Sequence, residues 1–368
     1  MLRVQSFLPE STCGCPNERL ASFHESKATA GRLRILFVTN MWPDAERPHW
    51  GTFIRSQAQS LEDADVRVDR LVIRGYATPR AYFASMSELW SRLRTREYDV
   101  IHIHTGHAAA ISAWWVPRPA VVSFVGGDLI GNVHEGGITP RSQAEALVFR
   151  QLARAATATI TKSREMENAL PRSVRRRNAI IPNGVDLERF RPMPKARARR
   201  SLGWSPDEKI VLFLGNPDDP RKNVALAEDA VGLARDEAPA LRLHKAFGVR
   251  PEEIPTMMSA ADCLAFPSRS EGSPNVVKEA MAAALPIVAT PVGDVVERLT
   301  GVEGGFVAPP APAPFAEALL GAISYPRAPA AREAIKSLSL SAVAARVIDV
   351  YEFAMRSTRE AARPRVGT

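Results

Sequence analysis

A chain of 368 residues has the length of about two and a half domains at roughly 150 residues each, enough to bury two separate cores. Hydrophobic residues make up 45% and charged residues 24%, a globular balance that excludes a disordered or fibrous chain. Lys and Arg exceed Asp and Glu by 48 − 40 = 8, which admits nucleic acid, a membrane surface or acidic small molecules as partners. The excess is local: residues 172–200 hold nine Arg and one Lys against Asp186 and Glu188, 10 − 2 = +8, so the remainder sums to zero. Nucleic acid is therefore disfavoured, and the question becomes where one basic segment sits.

Residues 1–31 carry Cys13-Gly14-Cys15 and read as a disordered leader. Cys263 is too distant to complete a four-ligand zinc site with that pair, so the cysteines read as free thiols of a reducing cytoplasm. Residues 1–20 lack the apolar core of a signal peptide, and no run approaches the ~18 apolar residues of a membrane span. A cytoplasmic protein is expected.

From Arg34 onward, short apolar runs alternate with helical lengths. Residues 35–38, 66–73, 100–104, 121–125 and 157–161 read as strands, with a helix starting near Thr52. Continuous apolar runs, as opposed to alternating ones, mark strands covered on both faces, and strand–helix alternation gives a doubly wound parallel sheet. Ile181-Pro182-Asn183-Gly184 breaks the series, and the basic stretch with Pro192 and Pro194 reads as a linker. The alternation restarts at 210–214, 241–243, 263–266, 287–289 and 305–307. An α/β chain is predicted, with two Rossmann-like halves over 32–184 and 185–336 and a cleft between them. The segment 337–368 holds a final helix at 340–355, which could return to the first half, and a basic tail.

The most informative segment follows the 263–266 strand: Ser268-Arg269-Ser270-Glu271-Gly272-Ser273-Pro274-Asn275-Val276-Val277-Lys278-Glu279-Ala280. Ser273 suits a helix N-cap and Pro274 the first helical position. The amides of Asn275 and Val276 would then face outward from a helix N-terminus, which suits phosphate or sugar oxygens. Glu271 before the helix and Glu279 in its second turn add carboxylates, which are useful if the ligand also offers hydroxyls.

This block resembles the Glu-x7-Glu signature of family 4 retaining glycosyltransferases. Leu285-Pro286-Ile287-Val288-Ala289-Thr290-Pro291-Val292-Gly293-Asp294 and Ile181-Pro182-Asn183-Gly184-Val185-Asp186 extend the resemblance, which covers roughly residues 32–351. It implies the GT-B fold, an acceptor-side first half, a second half that binds a nucleotide-diphosphate-sugar donor, and neither cofactor nor metal. By the same resemblance Glu279 would bind the ribose hydroxyls. Glu271, with Gly272, Ser273, Pro274 and Asn275, would hold the donor sugar. Lys222 would carry the positive charge for the diphosphate, and Gly215, Asn216, Gly51 and Val249 would be further donor contacts.

Two departures stand out. Asn216 occupies the place of the family's Arg, so Arg221 is the candidate substitute, since its fork of donors reaches phosphate bidentately. Val125, in Ser123-Phe124-Val125-Gly126-Gly127-Asp128, occupies the place of the family's His. His104 and His107, at the end of the third strand, are the candidates to stand in, and Gly126 and Asp128 complete the acceptor side.

The acceptor implied is a glycan or a lipid-linked sugar of envelope polysaccharide synthesis. Residues 79–96 interleave Tyr82, Phe83, Leu89, Trp90 and Leu93 with Arg80, Arg92, Arg94 and Arg96, a pattern that fits either an ordinary packed helix or a surface helix facing anionic lipid. Thr39-Asn40-Met41-Trp42 after the first strand disfavours a nicotinamide enzyme, which needs G-x-G-x-x-G there. Asp63-Ala64-Asp65 reads as solvated surface at a helix end. A nucleotide-sugar epimerase of the same architecture and a non-catalytic nucleotide-sugar-binding homologue remain as alternatives.

Overall fold

The computed structural model describes residues 33–74, 80–95, 97–104, 108, 116, 119–131, 133–134 and 137–362. The first half is a parallel sheet of β1 (Arg34–Thr39), β2 (Arg67–Val72), β3 (Val100–His104), β4 (Ala120–Ser123), β7 (Ala158–Thr161) and β8 (Asn178–Ile180), in the order β2-β1-β3-β4-β7-β8. A short antiparallel pair, β5 (Val133–His134) and β6 (Gly137–Ile138), stands apart from it. The second sheet, also parallel, holds β9 (Lys209–Leu214), β10 (Leu241–Ala246), β11 (Cys263–Phe266), β12 (Ile287–Ala289) and β13 (Gly305–Val307), in the order β10-β9-β11-β12-β13.

The central strands read as unbroken apolar runs because helices cover both faces. Ile35, Leu36, Phe37 and Val38 are each 0% exposed. The helices that matter for the site are α1 (Thr52–Glu62), α2 (Arg80–Thr95), α3 (Pro140–Leu152), α4 (Lys195–Leu202), α5 (Val224–Ala234), α6 (Asn275–Ala282), α7 (Pro312–Ser324) and α8 (Leu340–Ala362). Strand order reverses between β1 and β3 and again between β9 and β11. In open α/β sheets, ligands bind outside the carboxyl ends of the strands at such points.

The chain crosses between the halves twice, and the crossings are bonded to each other. The Val185 amide donates to Leu338 O at 2.8 Å, and the Leu340 amide donates to Val185 O at 3.2 Å. Helix α8 then lies on the first half against α1, β3, β4 and β7, burying Val343, Val347, Val350 and Tyr351. The Tyr351 hydroxyl meets His102 Nδ1 at 2.6 Å, so this helix is pinned through the interior of the sheet.

Three expectations are corrected. The basic stretch is not a linker. It contains β8 and α4, and its cations staple backbone: the Arg199 guanidinium, on a residue 4% exposed, donates to the carbonyls of Ala260, Ser205, Pro206 and Glu208 and to Asp262, which Lys195 also engages. Arg175 and Arg177 likewise donate to the carbonyls of Leu170 and Arg154. The fourth strand ends at Ser123 instead of continuing to Val125, because Val125 turns to meet Asp128. Ser273 is not the N-cap of α6; that place is taken by Pro274, with no side-chain cap.

On α2, Tyr82, Leu89 and Leu93 pack on the first core, leaving Trp90 40% exposed. Asp63, Ala64 and Asp65 are exposed at the end of α1. No helix among the described residues is long and apolar enough to cross a membrane.

Candidate active site

The β9–β11 switch point brings two loops together. After Leu214 the chain turns through Gly215, and the aliphatic stem of Lys222 lies against that glycine. The Lys222 ammonium donates to Glu271 Oε1 at 2.6 Å and sits 5.9 Å from the Phe266 ring centroid. Both partners keep some access to solvent, with side chains 23% and 17% exposed. Ser268 Oγ approaches the same carboxylate oxygen at 3.5 Å.

Arg221 is tied down differently. Its guanidinium forks onto Asp219 at 3.2 and 2.6 Å, and these hydrogen bonds and the cation hold the Asp219 carboxyl below its usual range despite burial. Asn216 uses its side-chain oxygen to accept the Asp218 amide at 3.0 Å, shaping the loop. Lys222, not Arg221, is therefore the cation directed at Glu271.

The loop 271–275 is held from three sides. Ser273 Oγ donates to Asp294 Oδ2 at 2.8 Å, and Asp294 is also paired with Arg298 at 3.0 Å. Asn183 Nδ2, from the first crossing, donates to Asn275 Oδ1 at 3.3 Å. Lys278, 1% exposed, donates to Asn183 O at 3.0 Å and Ser273 Oγ at 3.2 Å. Burial lowers the Lys278 ammonium to about 8. Pro274 is the N-cap of α6, and the first amides of a helix have no partner within it, which suits an anion there.

Glu279 lies in the second turn of α6. Burial pushes its carboxyl up to about 7, against the opposing pull of Arg189 and Lys278. Arg189 donates to Pro251 O, which orders the turn next to half-buried Val249.

The first half meets Gly272 of this site through Met166 and the loop at Val125 and Gly126. A Cβ on Gly272 would lie 3.1 Å from Met166 Sδ and 3.6 Å from both Gly126 Cα and Val125 O. The Asp128 carboxylate accepts the amides of Val125 at 3.1 Å and Gly126 at 2.8 Å, so it shapes the loop that faces Gly272. Gly51 caps α1 at the end of the loop that follows β1, with φ 74°. His104 is not on the cleft wall: it is 1% exposed, stacked on Phe37 at 4.5 Å and His102 at 4.0 Å. Its side chain points into the interior of the sheet. His107 lies outside the described residues.

The structure thus gathers Lys222, Glu271, Gly272, Ser273, Pro274, Asn275, Gly126 and Asp128 at one junction. Gly215, Asn216 and Arg221 flank Lys222, and Glu279 lies behind. Sequence reasoning missed Lys278 and Asn183. A signal for Lys278 was present, because a lysine between Val277 and the Ala280-Met281 pair falls on the apolar face of an amphipathic helix.

Two parallel α/β domains that carry a loop-and-helix site at their switch points define the GT-B fold, and solved structures agree. Sucrose-phosphate synthase from Thermosynechococcus elongatus superposes with a TM-score of 0.71 at 18% identity, covering 90% of this chain and 100% of that one. Anabaena HepE in complex with UDP-glucose gives 0.58 at 19% identity, covering 90% and 99%. Residues 30–189 match the model described as Glycosyltransferase Family 4, and residues 244–324 match Glycosyl transferases group 1. The D-inositol 3-phosphate glycosyltransferase of Streptomyces coelicolor is 28% identical over 348 residues, covering 78% of this chain and 76% of that protein. TuaC of Bacillus subtilis, a glycosyltransferase named for teichuronic acid biosynthesis, is 22% identical, covering 72% and 82%. The two family models, matched over separate parts of the chain, and these relatives support a glycosyltransferase of the family 4 type.

Proposed function

We propose that this protein transfers a sugar, with retention, from a nucleotide-diphosphate-sugar to a hydroxyl of a glycan or lipid-linked acceptor in envelope polysaccharide synthesis. The observation that carries the reading is the 2.6 Å Lys222–Glu271 pair beside the start of α6, with Glu279 behind it. In this reading Glu279 accepts the ribose hydroxyls, and Glu271 with residues 272–275 holds the donor sugar. A bound diphosphate draws Lys222 from Glu271, so one cation serves carboxylate and leaving group in turn. Gly126 and Asp128 form the acceptor-side wall. No side chain is assigned as nucleophile; a donor phosphate oxygen takes the acceptor proton on the face from which the diphosphate departs.

Loss of a buried charge partner costs about 2–5 kcal/mol, or roughly 30- to 4000-fold at ~1.4 kcal/mol per decade. Lys222→Ala and Glu271→Ala are expected to lose turnover in that range while keeping the folded far-UV spectrum. Full turnover in either variant would remove the assignment. Positive charge comes from Lys222 and the α6 amides, so turnover is expected to withstand a metal chelator.

The first experiment is nucleotide release from UDP-, GDP- and ADP-sugars with a crude lipid or glycan acceptor. UDP-sugars lead the panel because HepE, of the same fold, was solved with UDP-glucose. The same assay without acceptor separates transferase from epimerase. A nucleotide-sugar-binding homologue without turnover is the second reading, favoured by the commitment of Arg221 to Asp219 and by Val125. Calorimetric donor binding with no transfer to any acceptor would select it. The reading sets the protein in the cytoplasm at the inner membrane face, with Arg80, Trp90 and Arg94 toward anionic lipid; co-sedimentation with anionic but not neutral vesicles tests this.

A further inference from the structure

A small enclosed chamber lies where the two chain crossings meet the first half. It is lined by Gln57 and Ser60 of α1, Lys162 just past β7, Asn183 and Gly184 of the first crossing and Leu340 of the second, and its free volume is about 10 Å³. Lys162 is 3% exposed and borders this space. Among the described residues, no hydrogen bond or ion pair reaches its ammonium. Buried polar groups in native structures are almost always partnered, and an exception points to a water or ion.

Lys162 is not the only such group. His104 Nε2 and Arg346 Nε are also buried without partners, and both residues are charge neighbours of Lys162. From the second half, Lys278 adds another buried ammonium, and its oxygen partners at Asn183 and Ser273 are neutral. Asp128 is the carboxylate within reach of Lys162, and it is engaged by the amides of Val125 and Gly126. Ser60 Oγ spends its proton on Gln57 O at 2.9 Å. Among the charge neighbours of Lys162, two cations, Lys278 and Arg346, therefore face the single carboxylate of Asp128. A dry ammonium without a counter-charge is among the costlier arrangements a fold can hold. Water relieves it only in part, since a water brings two protons that themselves need acceptors.

We propose that the chamber is a binding site for one small monovalent anion of halide size, held by Lys162 with Arg346 and His104 nearby. Its volume matches one water or one monatomic ion, which excludes an oxyanion as large as phosphate. Both chain crossings line the chamber, so the anion ties the halves together at their junction. The inference rests on this geometry and not on the transfer reaction.

The test uses the full chain in chloride-free gluconate buffer, replacing gluconate by chloride at constant ionic strength. The melting temperature of the wild type is expected to rise by about 2 °C per tenfold chloride once the site begins to fill. Lys162→Met is expected to melt identically in both salts. Crystals grown without chloride and soaked in bromide are expected to show an anomalous peak in contact with Lys162 Nζ. Superposable chloride and gluconate melting curves for the wild type, or a chamber without bromide, would overturn the proposal. Both measurements are made on the wild type, so the test stands even if the variant does not fold.

Discussion

Glu279 carries the clearest pH signature of any single residue. Its carboxyl titrates near 7 because burial outweighs Arg189 and Lys278. Only the ionised form accepts two ribose hydroxyls, and it predominates above that value. Donor KM is therefore expected to rise as pH falls below about 7, whereas Glu279→Gln should show a weak but pH-independent KM. A wild-type KM flat from pH 6 to 8 would separate Glu279 from the donor. Lys278 acts by position: Lys278→Met strands Asn183 O and Ser273 Oγ, and stranding buried acceptors costs about 1–3 kcal/mol, readable as a lower urea midpoint. Glu271, Glu279 and Lys222 were singled out by the resemblance of the 268–280 block and of Lys222-Asn223 to the glycosyltransferase family, and the fold brings Lys222 onto Glu271. The N-cap role expected of Ser273 fails, since its hydroxyl is claimed by Asp294, 21 residues on, and local capping rules cannot register that competition. His104 shows the same limit: β3 is buried on both faces, so its place at the strand end does not tell that its ring packs on Phe37 and His102.

Among the elements, the turn before residues 295–299 decides where Glu271 stands. Gly293 has φ 56°, and a Cβ there would lie 2.5 Å from Gly272 O and 2.6 Å from Glu271 O. These are backbone atoms, so the loop must move to admit a methyl group. Gly293→Ala combines a disfavoured left-handed conformation with that collision. It is expected to lose stability by about 1–3 kcal/mol and to lower kcat more than a comparable change at Gly203, which has open space around it. Equal kcat in the two variants would mean that the turn does not set the Glu271 loop. The parallel strands were legible because burial on both faces writes them as unbroken apolar runs. Strand β8 escaped because Asn178-Ala179-Ile180 is short and begins polar; it exists through pairing with β7 and the Asn178 contacts to Thr159 and Thr161. The basic segment misled for a related reason. Arginine count signals charge, whereas here the guanidinium forks serve as multidentate donors to carbonyls that end strands and helices.

For the molecule as a whole, the buried titratable groups set how stability changes with pH. His102 and His104 are held neutral by burial, so the unfolded chain binds more protons below about pH 6.5 and stability falls there on acidification. Glu279 opposes this between about 4.5 and 7, because its raised value makes the folded form the better proton binder. Above pH 7 Glu279 is ionised in both states, and the lysines decide. Burial lowers Lys162 to about 7 and Lys278 to about 8, from 10.5. The unfolded chain thus holds protons the folded one has shed, and stability rises with pH across this window. In chloride-free buffer the gain from pH 7 to 9 is expected to be about 3 kcal/mol by urea unfolding, from at most ~1.4 kcal/mol per proton per pH unit. An anion beside Lys162 keeps that lysine charged and removes its share of the slope. The chloride and gluconate stability curves should therefore lie furthest apart below pH 7, where Lys162 is protonated, and converge toward pH 10, where Lys162 is neutral and the anion has no charge to answer. Parallel curves would locate any chloride effect elsewhere on the surface, and a flat gluconate curve would mean that neither lysine pays for its burial in protons.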